Sequence, residues 1–345
     1  MVKVGIAGIG FMGWIHWLAY QQIEGAKVVA ICDVDDKRLS GDWTGVQGNF
    51  GPPGQQVDLS DVVATNDLEN LCQQDLDLVD ICLPPAMHRQ AIETAARHGK
   101  HVFCEKPLAL NVADCEAAVA ACRQAERQLY VGHVLPYFPE YQAALTAIRS
   151  KQYGGLIGAR FKRVISNPTW LPDFFNPEKI GGPLYDLHVH DAHFIRLIAG
   201  MPLGVYSRGQ LQDGVVRFCN SIFDFTNPQL AVAAAGGVID QQGRPFTHGF
   251  EIRLEKATLQ FEYAALSSED ELMRLKAIDE NGEVSLIELE GSDPVDAFVQ
   301  EIHEVVSCAQ ANKPSKILSG DLARDAIRIC DAEAESVKNG IRVEL

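Results

Sequence analysis

Near the start of the chain a short apolar, β-branched run, VKVGIAGI at positions 2–9, leads into Gly8-Ile9-Gly10-Phe11-Met12-Gly13 and then WIHWLAYQQ, whose apolar residues recur at helical spacing. A strand, a glycine turn and a helix in immediate succession leave few folds open. Each glycine has a mechanical use: Gly8 makes the tight turn, Gly10 lets a pyrophosphate approach the backbone, and Gly13 lets helix and strand pack closely. The helix N-terminus then offers N–H groups and a partial positive charge to phosphates.

The next apolar run, AKVVAICD, ends at Asp33, 20 residues after Gly13. An acid there accepts hydrogen bonds from both ribose hydroxyls and repels a 2′-phosphate, and Asp35 and Asp36 follow closely, so NAD is expected rather than NADP. The α/β alternation continues. DLDLVDICLPP (75–85) reads as a buried strand, HRQAIETAARHG as a helix closed by Gly99, and KHVFCEKP as a strand ending at Glu105-Lys106-Pro107. Ligands of doubly wound sheets bind beyond the carboxyl ends of strands, where Leu83, Pro84, Glu105 and Lys106 fall.

A length of 345 residues suggests two domains. A net charge of -16 repels nucleic acid and anionic membranes, so an anionic ligand must be held by local groups such as the glycine turn. No apolar stretch approaches a membrane span and the N-terminus has no leader pattern, so a cytoplasmic protein is expected. The nine cysteines are scattered with no Cys-x-x-Cys pair, which argues against a disulfide frame or a structural zinc.

From about residue 156 the alternation stops. LIGARFKRVI, PLGVYSRGQL, VVRFCNSIFDF, QLAVAAAGGVI, GFEIRLEKATLQFEYA, ELMRLKAID and EVSLIEL follow as strands, and helices at about 294–312 and 321–339 close the chain. The expected architecture is a Rossmann dinucleotide-binding domain at 1–133 and an α+β domain at 134–345 built on an open, mostly antiparallel sheet, with the last helix able to pack back on the first domain. LAVAAAGGV has a small-residue surface suited to a sheet face covered by another surface. The segment SNPTWLPDFFNPEKIGG (166–182) reads as a binding loop, with Trp170 or Phe174 placed to stack on a ligand ring or to anchor the loop.

The order GIGFMG, ICDVD, ICLPPAMH, GKHVFCEKPLA and GGPLYDLHVHD, closed by DLARDAIRICDAEAESVKNGIRVEL, resembles the glucose-fructose oxidoreductase/inositol dehydrogenase (Gfo/Idh/MocA) family across essentially the whole chain. The EKP triplet joined to a later D-x-x-x-H is the most specific part of the resemblance. It implies that Lys106, Asp186 and His190 serve the chemistry, and that the cofactor is held by Gly8, Gly10, Phe11, Met12, Gly13, Asp33, Leu83, Pro84, His88, Glu105 and Lys106. His133, Trp170 and His193 are the substrate candidates. The resemblance further implies a cis Lys106–Pro107 bond and a homodimer or homotetramer formed through the C-terminal sheet. Pro136 stands where many relatives carry an arginine, which removes a basic substrate contact.

Residues 181–200 read as a helix entered at Gly181-Gly182-Pro183 and stopped at Gly200. At about 100° per residue, Asp186, His190, His193 and Leu197 share one face, while His188 points roughly opposite and Asp191 lies off it. That geometry disfavours a metal site in DLHVHDAH, because His-x-His chelation suits an extended segment. No metal is therefore expected.

The implied reaction is NAD-dependent hydride transfer between nicotinamide and a secondary hydroxyl or keto group of a sugar, polyol or inositol, a CH–OH dehydrogenase activity. His190 is the base, Lys106 hydrogen-bonds the same oxygen, and Asp186 orients the pair. Two alternatives compete: a non-catalytic NAD(P)-binding regulatory or sensor protein of the same fold, and a metal-dependent hydrolase using the histidine cluster.

Overall fold

Val4, Ile6 and Ala7 have no exposed surface in β1 (Val2–Ala7), because β1 lies inside a parallel sheet with a neighbour on either side. The computed structural model of the chain describes residues 1–289, 291 and 293–345. Its first sheet has the order β3-β2-β1-β4-β5-β6, with β2 at Ala26–Cys32, β3 at Val63–Thr65, β4 at Leu78–Ile81, β5 at His101–Glu105 and β6 at Leu129–Gly132. All its pairings are parallel, and the strand order reverses between β1 and β4, the switch point where doubly wound sheets bind ligands. The sequence spells these strands as nearly continuous apolar runs because both faces are covered: β4 and β5 are buried at every residue.

Five helices connect them, α1 (Phe11–Tyr20), α2 (Asp36–Leu39), α3 (Leu68–Cys72), α4 (Pro85–Arg97) and α5 (Val112–Gln124). Their caps are local. Asp67 and Asn111 accept backbone N–H groups at the starts of α3 and α5, Pro85 stands in the first turn of α4, and Gly99 follows it with φ +69.

The second sheet has the order β14-β13-β12-β11-β7-β10-β9-β8-β15. It is built from β7 (Leu156–Ser166), β8 (Gly204–Gln212), β9 (Val215–Asp224), β10 (Ala231–Ile239), β11 (Phe246–Leu254), β12 (Ala257–Ala265), β13 (Glu271–Asp279), β14 (Val284–Leu286) and β15 (Arg342–Glu344). Only β10 with β7 pairs parallel; the other ladders are antiparallel, as the hairpin-rich sequence leads one to expect. α6 (Pro139–Ser150) and α7 (Val189–Ala199) supply Tyr141 and Phe194, which meet edge-on at 5.2 Å and pack with Phe161, Phe250 and Phe261 of the sheet. Each such ring contributes about 1.5–3 kcal/mol by leaving water.

The chain divides into two units, Met1–Tyr137 with Gly291–Arg324, and Phe138–Glu290 with Asp325–Leu345. α8 (Pro294–Gln310) thus lies in the first unit, not with residues 134–290. Its Phe298 stacks on Phe50 at 5.4 Å and faces His16 of α1 at 6.2 Å. Helical periodicity shows that a helix buries one face, but not which surface receives it. α9 (Gly320–Asn339) belongs to the second unit from Asp325 onward; only its first turn lies in the first unit, where Arg123 pairs with Asp321 at 3.4 Å. All nine cysteines are free thiols. Among the described residues no helix is long and apolar enough to cross a membrane.

Candidate active site

In the parallel sheet the segments after β1, β2, β4 and β5 emerge along one edge, which gathers the glycine turn, Asp33, Leu83-Pro84 and Glu105-Lys106. Two of the three glycines are demanded by the protein itself. Gly8 has φ +93 and a Cβ there would stand 2.6 Å from the Cys82 carbonyl oxygen; one at Gly13 would stand 2.0 Å from that of Gly8. Gly10 differs, since a Cβ there would meet nothing within 4 Å. The space beside it is open, and no side chain caps the N-terminus of α1. That combination fits a dinucleotide's pyrophosphate.

Asp33 is 6% exposed, with Oδ2 accepting the Ile9 N–H at 2.7 Å and Oδ1 the Asp35 N–H at 2.9 Å. Arg38 reaches the same carboxylate, Nη1 to Oδ2 at 3.3 Å. The Phe11 ring packs edge-on against Phe50 at 4.8 Å, so this residue is left to serve a cofactor through its backbone; Met12 is part-exposed.

His88 is a correction to the cofactor set. It is fully buried, Nδ1 2.8 Å from the Pro107 carbonyl and Nε2 2.7 Å from that of Leu83. Burial holds its pKa below the ordinary imidazole value against the pull of those carbonyls. It ties the segment after β4 to the segment after β5 rather than offering an atom to a ligand. The Lys106–Pro107 peptide is cis.

In the second unit the helix carrying Asp186 and His190 does not turn at 100° per residue throughout. Leu184–His188 is a π-helix that passes into α7 at Val189. The angular argument for a shared face therefore holds only from residue 189. Burial sorts the cluster instead: Asp186 and His190 are part-exposed, whereas His188, Asp191 and His193 are buried. His188 Nε2 lies 3.0 Å from Glu333 Oε2, and Asp191 forms two hydrogen bonds to Arg163. His133 and His193, expected as substrate contacts, have no exposed surface. Trp170 is 66% exposed on its loop, while Phe174 is 2% exposed in a core with Ile165 and Val238, so Phe174 anchors the loop and Trp170 remains available.

Residues 2–133 match the oxidoreductase family with the NAD-binding Rossmann fold, and residues 141–260 match the GFO/IDH/MocA C-terminal domain. The chain belongs to the Gfo/Idh/MocA family. Its Rossmann domain is the NAD-binding unit of an oxidoreductase. Among family relatives, the inositol 2-dehydrogenase of Rhizobium meliloti is 24% identical over 339 residues, covering 97% of each chain. Among solved structures, an Agrobacterium radiobacter oxidoreductase in complex with NAD+, L-tartaric acid and magnesium aligns with TM-score 0.80 at 20% identity, over 99% of this chain and 98% of that one. The aldose-aldose oxidoreductase of Caulobacter crescentus, complexed with glycerol, aligns with TM-score 0.81 at 20% identity, over 100% and 99%. These likenesses carry the fold.

Several residues that shape this family member's site had no signal in the sequence. Arg38 is the exception, since it stands five residues after the acid it meets, Asp33. Arg163, Glu333 and Glu301 lie far along the chain from what they serve. His16 and Asp80, with Cys82, place one donor atom each within 4.8 Å of one another behind the sheet edge.

Proposed function

We propose that the protein transfers a hydride between the nicotinamide of NAD and a secondary hydroxyl or keto group of a sugar, polyol or inositol, with Lys106, Asp186 and His190 as its catalytic residues. The observation that carries this reading is the position of Lys106: it follows the last residue of β5 on the sheet edge that also holds the glycine turn and Asp33, where a doubly wound fold binds its ligand. Membership of a family whose relatives include an inositol 2-dehydrogenase supports the substrate class.

NAD, held at Gly10, the first turn of α1 and Asp33, supplies the hydride acceptor. His190 takes the hydroxyl proton in the oxidative direction, an imidazole being able to exchange a proton near neutral pH. Lys106 donates a hydrogen bond to the same oxygen and stabilises the negative charge that develops on it. Asp186, one turn before His190, accepts from a neighbouring hydroxyl and fixes the substrate's orientation. Trp170 offers an exposed aromatic face to a sugar ring.

The second unit is the assembly surface of a homodimer or homotetramer. Its sheet exposes Ile222, Leu272, Met273, Val284 and Leu286, each at least 45% exposed, apolar side chains that association would cover. Light scattering on the purified chain checks this, a monomer at micromolar concentration being the contrary result.

The test of the reaction is a panel of inositols, aldoses and linear polyols with NAD, followed by absorbance of the reduced nicotinamide. Turnover with at least one, lost in Lys106→Ala and in His190→Ala, is the expected outcome. Activity retained in Lys106→Ala would falsify the assignment.

A further inference from the structure

The carboxylate of Glu105, immediately before Lys106, is held on three sides. His16 Nε2 lies 3.1 Å from Oε1. The backbone N–H of Lys106 donates to Oε2 at 3.0 Å. Gly132 of the adjoining β6 makes the room, since a Cβ there would stand 2.9 Å from Oε1. The other imidazole nitrogen of His16, Nδ1, lies 2.9 Å from Oδ2 of Asp80 on β4. His16, Asp80 and Glu105 are all buried, at 0%, 0% and 5% exposure, and the Phe103 ring stacks on the imidazole at 5.2 Å.

An imidazole donates to ionised carboxylates on both sides only when it carries a proton on each nitrogen. The Nδ1 to Oδ2 spacing is that of a hydrogen bond; two ligand atoms of a tetrahedral zinc, each about 2.0–2.1 Å from the metal, stand about 3.3 Å apart. The cluster of His16, Asp80 and Cys82 is thus a hydrogen-bonded clamp. Burial opposes charge on His16, yet Asp80 and Cys82 together outweigh it and hold its pKa well above the ordinary imidazole value. Around it stand Tyr20 on its own helix, Asp80 on β4, Cys82 just after that strand, Glu105 on β5 and Glu301 on α8. Glu301 is fully buried, and burial with the nearby charge of Glu105 raises its pKa well above the ordinary carboxylate value.

We propose that His16 is a positioning residue: as an imidazolium clamped between Asp80 and Glu105 it aims the Glu105 carboxylate, and through it the backbone N–H of Lys106, so that it sets where the lysine stands at the sheet edge. The proposal rests on the reading of Lys106 given above. His16 touches no reacting atom. It acts on the chemistry because Glu105 and Lys106 are consecutive and share a hydrogen bond.

The test uses the full chain and three variants, His16→Gln, Glu105→Gln and the double. Histidine-selective ¹⁵N NMR of the wild type near pH 8, above the ordinary imidazole pKa of about 6.5, is expected to show two histidines protonated on both nitrogens, His16 and His188, with one of the two signals missing from His16→Gln and the same signal titrating downward in Glu105→Gln. With a substrate in hand, each single variant is expected to lose roughly ten- to a hundredfold in kcat with KM for NAD little changed, and the double to be no worse than either single. A neutral His16 near pH 8 overturns the proposal. So do folded variants with wild-type kcat, or additive losses in the double. Should His16→Gln fail to fold, Glu105→Gln carries both measurements. Failure of the Lys106 reading shows separately, as activity retained in Lys106→Ala, and leaves the NMR result to decide the clamp.

Discussion

Arg163 of β7 holds Asp191 of α7 by two hydrogen bonds, Nε to Oδ2 at 2.8 Å and Nη2 to Oδ1 at 3.0 Å, one residue past His190. The two side chains are 4% and 1% exposed. Burial favours a neutral Asp191, but Arg163 and His188 hold its pKa below the ordinary carboxylate value. The pair therefore pins the start of α7 to the sheet.

Removing one partner strands a buried charge. Arg163→Met is expected to destabilise the protein by about 3–5 kcal/mol, and the double variant Arg163→Met/Asp191→Leu to recover much of that loss, since an apolar pair of similar volume avoids the desolvation cost. Guanidinium denaturation measures both. A single-variant loss under about 1 kcal/mol would put the pair in the class of surface bridges and remove its anchoring role.

Gly10 and Gly13 should separate binding from folding. Gly13→Ala forces a methyl to 2.0 Å from the Gly8 carbonyl oxygen and is expected to lower the melting temperature sharply. Gly10→Ala meets no protein atom within 4 Å, and its φ of -80 suits any residue, so stability should hold. Its methyl occupies the space assigned to the pyrophosphate, and NADH affinity, read by fluorescence titration, should fall at least roughly tenfold. Unchanged affinity would move the phosphates elsewhere.

Asp33 and Arg38 are expected to set the choice of dinucleotide. The carboxylate that faces Arg38 at 3.3 Å also repels a 2′-phosphate. Asp33→Ser is expected to weaken NAD by about ten- to a hundredfold, the worth of one or two hydrogen bonds to a charged group at about 1.5–3 kcal/mol, while NADP improves because Arg38 is released to meet the phosphate. Comparing kcat/KM for the two cofactors tests it, and Asp33→Ser/Arg38→Ala should lose the gain. A variant that keeps its preference for NAD would assign discrimination to another residue.

His188 gives stability a pH dependence of defined sign. Burial opposes its charge, but Glu333 at 3.0 Å and Asp191 raise its pKa from 6.5 to about 10. A folded pKa raised above the unfolded one adds stability that is fully present below about 6.5 and is lost as pH climbs toward about 10. The wild type should therefore lose stability relative to His188→Gln between those limits, with Arg163 close by but charged throughout. Parallel denaturation curves for the two proteins across that range would contradict the assignment.

Much of this was legible in the residues. Glycine turns, prolines and buried strands are local or periodic signals, and VKVGIAGIGFMG, Asp33 and the EKP strand end could be placed from spacing alone. The family resemblance pointed to Lys106, Asp186 and His190. The missed or misread residues have a common cause. His88 looked like a ligand-binding residue until two backbone carbonyls were seen to occupy it. The shared face of Asp186 and His190 assumed a regular helix, and the chain makes a π-helix at Leu184–His188.

The amino-acid sequence by itself determined the elements, the parallel order of the first sheet and the chemistry that its glycines and acid can hold, because turn geometry and strand burial depend on neighbouring residues. Tertiary structure alone decided what surrounds them. Which surface receives α8, which carboxylates clamp His16 across 64 and 89 residues, and which partner 145 residues away keeps His188 charged all depend on burial. Burial is set by the whole chain at once, and it is the opposite charge buried beside a histidine or aspartate, acting against the loss of water, that holds it ionised.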